Sequence, residues 1–283
     1  MQESEFNIQE IELIINHAFR EDIGSGDITT NNIVPKNTLA AASMTAKADG
    51  IIAGLNIAKM IFRKLDENLE WNPKIIDGDR VVKGDVILEM KGTFRALLTG
   101  ERLALNLLQR MSGIATETAK YVAEVKETKV KILDTRKTVP GLRTFDKYAV
   151  KMGGGTNHRI GLYDMVMIKD NHIMMAGSIT AAVEQIRKAV SSEITVEVET
   201  ANLIEVKEAV NAGADIIMLD NMSNELMKEA VDYINGRALV EASGNMNLER
   251  ISGVAKTGVD FISIGALTHS VMALDISQNI IIK

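Results

Sequence analysis

The sequence holds no cysteine, three prolines, one tryptophan and only 4% aromatic residues across 283 positions. Without cysteine there is no disulfide, thiolate nucleophile, iron–sulfur cluster or cysteine-ligated zinc. Scarce proline, with no serine–glycine linker and no low-complexity tract, argues against domains hung on a tether. No apolar run approaches the roughly 20 residues of a membrane span. Basic charge is not in excess: 32 Lys and Arg stand against 38 Asp and Glu, a net charge of −6. That balance excludes a nucleic-acid or anionic-membrane surface, although a local cationic pocket stays compatible with it. Nucleotide fingerprints are missing too. Gly24-Ser25-Gly26-Asp27 lacks a third glycine and a preceding strand, Gly153-Gly154-Gly155 does not fit GxGxxG, and no GxxxxGK[ST] occurs. The opening Met1 to Phe6 is acidic and has no signal-peptide core. A soluble, cytoplasmic protein is the expectation.

What is present is a globular composition, 46% hydrophobic and 25% charged. The length suits two domains, or one large barrel with an appendage. From Ala40 to Gly92 short β segments alternate with turns at Ala53-Gly54, Asp77-Gly78-Asp79, Lys83-Gly84-Asp85 and Lys91-Gly92. From Thr93 to about Glu127 the pattern turns helical, and its leucines cover more than one stripe, so protein is expected on both sides. Ser112-Gly113 is the expected domain boundary.

Beyond it, short aliphatic runs each end in a polar or small residue and lead into a helical stretch. They span 130–133, 165–168, 194–198, 216–219, 239–242 and 261–264. Glu199, Asp220, Ser243 and Gly265, which follow the last four, lie 21, 23 and 22 residues apart, about one βα unit each. Continuous apolar strands suit a parallel sheet covered on both faces, and the repeat favours a (β/α) barrel. Six such strands can be counted.

A barrel of this kind gathers its strand ends at one mouth. Arg136, Lys137, Lys169, Glu199, Asp220, Ser243, Gly244 and Gly265 would meet there, with His158 and Arg159 from the Gly153-Gly154-Gly155 loop. Strand-end polar residues can equally be caps of the next helix. A cluster of cations in an acidic protein is the more informative feature. Ser243-Gly244-Asn245 and Gly265-Ala266-Leu267 read as a phosphate site at two helix openings. Glu199 and Asp220 suit sugar hydroxyls, Mg²⁺, or a positive charge developing in a transition state. His17, His172 and His269 read as structural or surface residues, and Arg159 beside His158 opposes a metal there.

At Asp134-Thr135-Arg136-Lys137-Thr138-Val139-Pro140-Gly141-Leu142-Arg143 the sequence resembles the quinolinate phosphoribosyltransferases, also called carboxylating nicotinate-nucleotide pyrophosphorylases. The resemblance spans nearly the whole chain. It includes Glu21 to Asp27, Gly100 to Asn106, Gly113 to Thr116, Asn157 to Arg159 and Ile168 to His172. It continues through Val196 to Glu199, Leu219 to Asn221, Glu241 to Gly244 and Ser263 to Leu267. It implies an α/β fold, an N-terminal α/β open sandwich plus an incomplete, seven-stranded β/α barrel, assembled as a homodimer with a shared active site. The division expected is 1–112 and 113–271, with 272–283 packing back on the first part.

The implied reaction converts quinolinate and phosphoribosyl pyrophosphate, with Mg²⁺, into nicotinate mononucleotide, pyrophosphate and CO₂. Positions matching the quinolinate site are Arg136, His158, Arg159 and Lys169, with Arg102 from the partner subunit. Lys137 and Lys169 match residues near the pyrophosphate, and Glu199 and Asp220 match the ribose and metal region. These four are the implied catalytic set. Ser243, Gly244, Asn245, Ile264, Gly265 and Ala266 match the 5′-phosphate cradle, where Asn245 departs from a second glycine.

Two rival readings stand beside this one. A paralogue could use the scaffold on nicotinate or in molybdenum transport. Alternatively, Val82 to Asp85 followed by Glu89 to Gly92 resembles a biotinyl or lipoyl hairpin, with Lys91 as the modified residue.

Overall fold

Two kinds of strand pattern produce two kinds of sheet. The computed structural model describes residues 8–281. Met1 to Phe6, read above for a signal peptide, and the last two residues of the 272–283 segment lie outside the described residues. The chain runs α1 (Ile8–Asp22), α2 (Ile28–Ile33), β1 (Leu39–Ala46), β2 (Gly50–Ile51), α3 (Leu55–Leu65), β3 (Glu70–Pro73), β4 (Arg80–Val81) and β5 (Val86–Thr93). Then come α4 (Phe94–Val125), β6 (Lys131–Leu133), α5 (Arg143–Met152), β7 (Val166–Ile168), α6 (Asp170–Ala176), α7 (Ile179–Ala189) and β8 (Val196–Thr200). The remainder is α8 (Leu203–Ala212), β9 (Ile216–Asp220), α9 (Asn224–Ile234), β10 (Leu239–Ser243), α10 (Leu248–Ala255), β11 (Phe261–Ser263), α11 (Ala266–His269) and β12 (Ile276–Ile281).

One unit comprises Met1–Ala119, Thr138–Gly154 and Thr268–Lys283. Its main sheet is antiparallel, in the order β12-β1-β5-β3. Along β1, Ala40, Ala42, Met44 and Ala46 are buried and their neighbours are less so, the period of a sheet with one covered face. β12 returns the chain end to this sheet beside β1. The Asp77-Gly78-Asp79 turn starts α3: Asp77 Oδ1 accepts from Gly54 N–H and Leu55 N–H, each at 3.0 Å. Lys91 lies inside β5, between β1 and β3, with Nζ 3.0 Å from Glu70. That is no hairpin tip offering a lysine to a modifying enzyme.

The long helix α4 has leucines buried on more than one side, among them Leu97, Leu103, Leu105 and Leu108. It runs unbroken through Ser112-Gly113. Glycine is needed there for close approach, since a Cβ on Gly113 would sit 2.2 Å from the Met272 carbonyl oxygen.

The other unit comprises Lys120–Lys137 and Gly155–Leu267. Its sheet is parallel, in the order β6-β11-β10-β9-β8-β7. A seventh segment joins beyond β6 through one parallel bridge, Leu133 to Thr156. The incomplete barrel therefore has six strands and a seventh reduced to a single pairing. Helices alternate with the later strands, α8 packing on β8 and β9.

Candidate active site

Parallel register sorts the strand side chains into two sets. Val198, Thr200, Ile217, Leu219, Val240 and Ala242 share one face, and all are buried. The opposite face carries Glu197 and Glu199, Met218 and Asp220, Glu241 and Ser243. Asp220 and Ser243 close their strands, Glu199 is the last residue but one of β8, and none of the three caps the helix that follows. Those caps are Asn202 for α8, Ser223 for α9 and Asn247 for α10. The strand-end groups are thereby left for another purpose.

Lys169, one residue beyond β7, reaches across to the next strand end, and its ammonium donates to Glu199 Oε2. Its position is held by His172, whose Nδ1 accepts from Lys169 N–H at 3.0 Å. Beyond β6, buried Asp134 accepts from His158 N–H (2.9 Å) and Asn157 Nδ2 (2.6 Å). This carboxylate ties the Arg136-Lys137 loop to the segment carrying Arg159. Burial, then the neighbouring Arg136 charge, weakens the hold of the Arg159 guanidinium on its proton, while Glu197 and Asp164 oppose the shift. Arg136 is near enough for its charge to act on Arg159, and two neighbouring guanidinium groups suit an anion. Lys137 is exposed on the same loop.

The next two loops differ in build. Gly244 (φ +91°), Asn245 (+51°) and Asn221 (+56°) all occupy left-handed backbone. A Cβ at Gly244 would meet Asn221 Oδ1 at 2.2 Å, so glycine is required. Asparagine tolerates this region as glycine does, so Asn245 preserves the backbone that a second glycine would take. Asn221 joins two strand ends: its Nδ2 donates to Asp220 Oδ2 (2.7 Å) and its Oδ1 accepts from Asn245 Nδ2 (3.0 Å). Arg250 braces the loop from α10, donating to the carbonyls of Gly244 (2.9 Å) and Met222 (2.5 Å). The expected pair of helix openings is only partly realised. α10 begins at Leu248 behind its own cap, and the helix after Gly265 is one turn, so neither loop opens directly onto a long helix. Ile264 is buried and its N–H is spent on Leu133 O at 2.9 Å; it frames Gly265 and Ala266.

His158 lies deeper than the strand-end cluster. Nδ1 accepts from Arg159 N–H at 2.7 Å, and Nε2 lies 3.1 Å from Glu197 Oε2 and 3.3 Å from Glu241 Oε2. Both glutamates are fully buried. Burial opposes a charged imidazole, and the two glutamates outweigh it, raising His158 to about 10. Burial, then the Glu241 charge, pushes Glu197 up to about 7. The Arg159 N–H points at Nδ1, so in this geometry the ring hydrogen directed at the glutamates is the one on Nε2. Of the other histidines, His17 contacts Arg20 and His269 contacts Ser270, both at the surface.

Arg102 belongs to the antiparallel unit. It is exposed on α4 and lines a cavity of about 590 Å³ with Glu21 to Ile28, Leu98 and Thr99.

Sequence comparison decides among the enzymes that such a site could serve. The N-terminal domain of quinolinate phosphoribosyl transferase matches residues 27–112, and the C-terminal domain matches 114–279. The chain belongs to the quinolinate phosphoribosyltransferase family. A probable carboxylating nicotinate-nucleotide pyrophosphorylase of Bacillus subtilis is 46% identical over 274 residues, covering 97% of this chain and 94% of that one. The crystal structure of NadC from Streptococcus pyogenes superposes with a TM-score of 0.94 at 43% identity, covering 98% of each chain. The nicotinate-nucleotide pyrophosphorylase of Francisella tularensis gives 0.93 at 41% identity, covering 97% of each.

In this phosphoribosyltransferase, sequence reading passed over Glu197 and Glu241 because they sit inside runs taken as apolar. Alternation was the available signal: Val196-Glu197-Val198-Glu199 places both acids on one face. Asn221 and Arg250 gave no such signal, since their bonds cross between loops.

Proposed function

We propose that the chain is a quinolinate phosphoribosyltransferase of NAD biosynthesis: quinolinate and phosphoribosyl pyrophosphate give nicotinate mononucleotide, pyrophosphate and CO₂. The observation that carries this reading is the strand-end group itself. Arg136, Arg159 and Lys169 stand with Glu199 and Asp220 in a protein of net charge −6. Quinolinate is a dianion, and paired guanidinium groups suit two carboxylates, at roughly 1.5–3 kcal/mol for each charge-assisted hydrogen bond. Lys137 and Lys169 serve the pyrophosphate. The loops at 243–245 and 264–266 offer backbone N–H groups to the 5′-phosphate.

The pyridine nitrogen attacks C1′ as the bond to pyrophosphate breaks. Glu199 stabilises the oxocarbenium character that develops. The quaternised ring then draws the electrons of the C2 carboxylate bond as CO₂ leaves, and a proton replaces it at C2. That step asks only orientation and charge of the protein. Glu199 and Asp220 present oxygen donors alone, the kind Mg²⁺ takes, and would hold the ion here. When bound, the ion offsets charge on the departing pyrophosphate. Incubation with quinolinate, phosphoribosyl pyrophosphate and Mg²⁺ should yield nicotinate mononucleotide and CO₂; equal turnover of nicotinate would favour the paralogue.

The exposed Arg102 fits a homodimer in which each subunit lends this arginine to its partner's site. Mixing Arg102→Ala with Lys137→Ala subunits should restore roughly a quarter of wild-type sites, because half the dimers are mixed and each has one intact site. No recovery in mixed dimers verified by native mass spectrometry would reject sharing.

A further inference from the structure

Two acids occupy positions where buried parallel strands ordinarily place apolar residues, and the reaction above uses neither. Glu197 in β8 and Glu241 in β10 are fully buried, and Glu197 Oε1 and both Glu241 oxygens have no hydrogen-bond partner among the described residues, although Glu241 Oε2 lies 3.3 Å from His158 Nε2. A valine or leucine at either place would pack without the desolvation that a carboxylate suffers. Their shared neighbour is one imidazole. His158 Nε2 points between them, at 3.1 and 3.3 Å, and its Nδ1 receives the Arg159 N–H at 2.7 Å.

That arrangement has a direction. An Nδ1 that accepts a hydrogen bond is bare, so the ring hydrogen sits on Nε2, where the two glutamates face it. Flipping the ring would break both ends at once. The guanidinium of Arg159 meanwhile donates to the Met165 carbonyl at 3.2 Å and to Met167 Sδ at 3.6 Å. Arg159 is therefore fixed through its backbone by His158 and through its side chain by Met165 and Met167.

We infer that Glu197 and Glu241 are positioning residues, which lock the orientation of His158 and through it aim Arg159 at a carboxylate of the dianionic substrate. The inference rests on the proposed function for the identity of that substrate. A histidine with two carboxylates is also a metal-ligand set, and these three lie close enough to share an ion. A histidine bound through Nε2 keeps its hydrogen on Nδ1. Here Arg159 N–H occupies that place, so the geometry favours a hydrogen on Nε2 instead of an ion.

The test is the double variant E197M/E241M, which removes both acceptors at similar volume. Its melting temperature should equal or exceed that of the wild type. Its KM for quinolinate should rise at least tenfold, with KM for phosphoribosyl pyrophosphate within twofold. The conservative E197Q/E241Q, whose amide oxygens still accept from Nε2–H, should recover most of the lost affinity. An unchanged KM for quinolinate overturns the inference, as does a variant that loses melting temperature and both KM values together. Nitrogen-15 NMR of the wild type should show His158 protonated on Nε2 and bare on Nδ1; the opposite tautomer, or a stoichiometric metal in the purified protein, also overturns it. Wild-type protein that turns over no quinolinate would sink the functional reading alone, because the tautomer is read without substrate.

Discussion

The two units treat buried charge in opposite ways. In the antiparallel unit Asp146 is fully buried, yet Arg110 grips both its oxygens, Nε to Oδ1 at 2.9 Å and Nη2 to Oδ2 at 2.8 Å. Asp77 is likewise occupied by two backbone N–H groups and the Tyr148 hydroxyl, at 2.7 Å from the last. In the parallel unit, Glu197 and Glu241 keep oxygens without partners, and Arg136 presses its charge on Arg159. Buried acids whose hydrogen bonds are complete hold the fold together. Acids whose oxygens are left partly unmatched serve the site rather than the fold.

Mutation should separate these roles, and the largest effect belongs to the parallel unit. Arg159→Ala removes two charge-assisted hydrogen bonds at roughly 1.5–3 kcal/mol each, which should lower kcat/KM for quinolinate by about a hundred- to ten-thousand-fold. Lysine should rescue poorly, lacking the planar fork. The melting temperature should hold. Steady-state kinetics beside a thermal melt checks both halves of the contrast.

Arg110→Ala should do the reverse. It strands a buried carboxylate, and urea denaturation should show a loss of about 3–5 kcal/mol, while the folded fraction keeps its KM values. The deficit also has a pH sign. Burial, opposed by Arg110, already holds Asp146 above 3.8, and losing the arginine raises it further. A raised carboxylate costs stability where the unfolded chain is ionised and the folded one resists ionisation. The deficit should thus be full at neutral pH and shrink as pH falls through the raised value toward 3.8. A constant deficit would show that Asp146 is not its source.

The smallest effect is expected at Asn245→Gly. Its backbone is already left-handed, so glycine keeps the loop, and KM for phosphoribosyl pyrophosphate should move less than about twofold. A larger change would mean that the Asn245 side chain, through Asn221, matters more than the backbone shape.

Much of this was readable in the chain, for physical reasons that can be named. Lys169, Glu199 and Asp220 stood out because each ends an aliphatic run, and parallel strands place such ends together. The 21- to 23-residue spacing carried the βα repeat. Gly113 was harder to read, since glycine punctuates turns and also permits close packing; here the Met272 carbonyl decides for packing. Glu197 and Glu241 were hidden by counting apolar runs as continuous, although strand alternation exposes them. The Arg110–Asp146 pair joins residues 36 apart in sequence and a fold is needed to see it.

The most direct measurement follows the carboxylate next to the ring nitrogen. Quinolinate labelled there with carbon-13 should release the label as CO₂, one for each pyrophosphate formed, and only when phosphoribosyl pyrophosphate is present. Label retained in a nucleotide product, or released without pyrophosphate, would contradict the coupling of phosphoribosyl transfer to decarboxylation at this site.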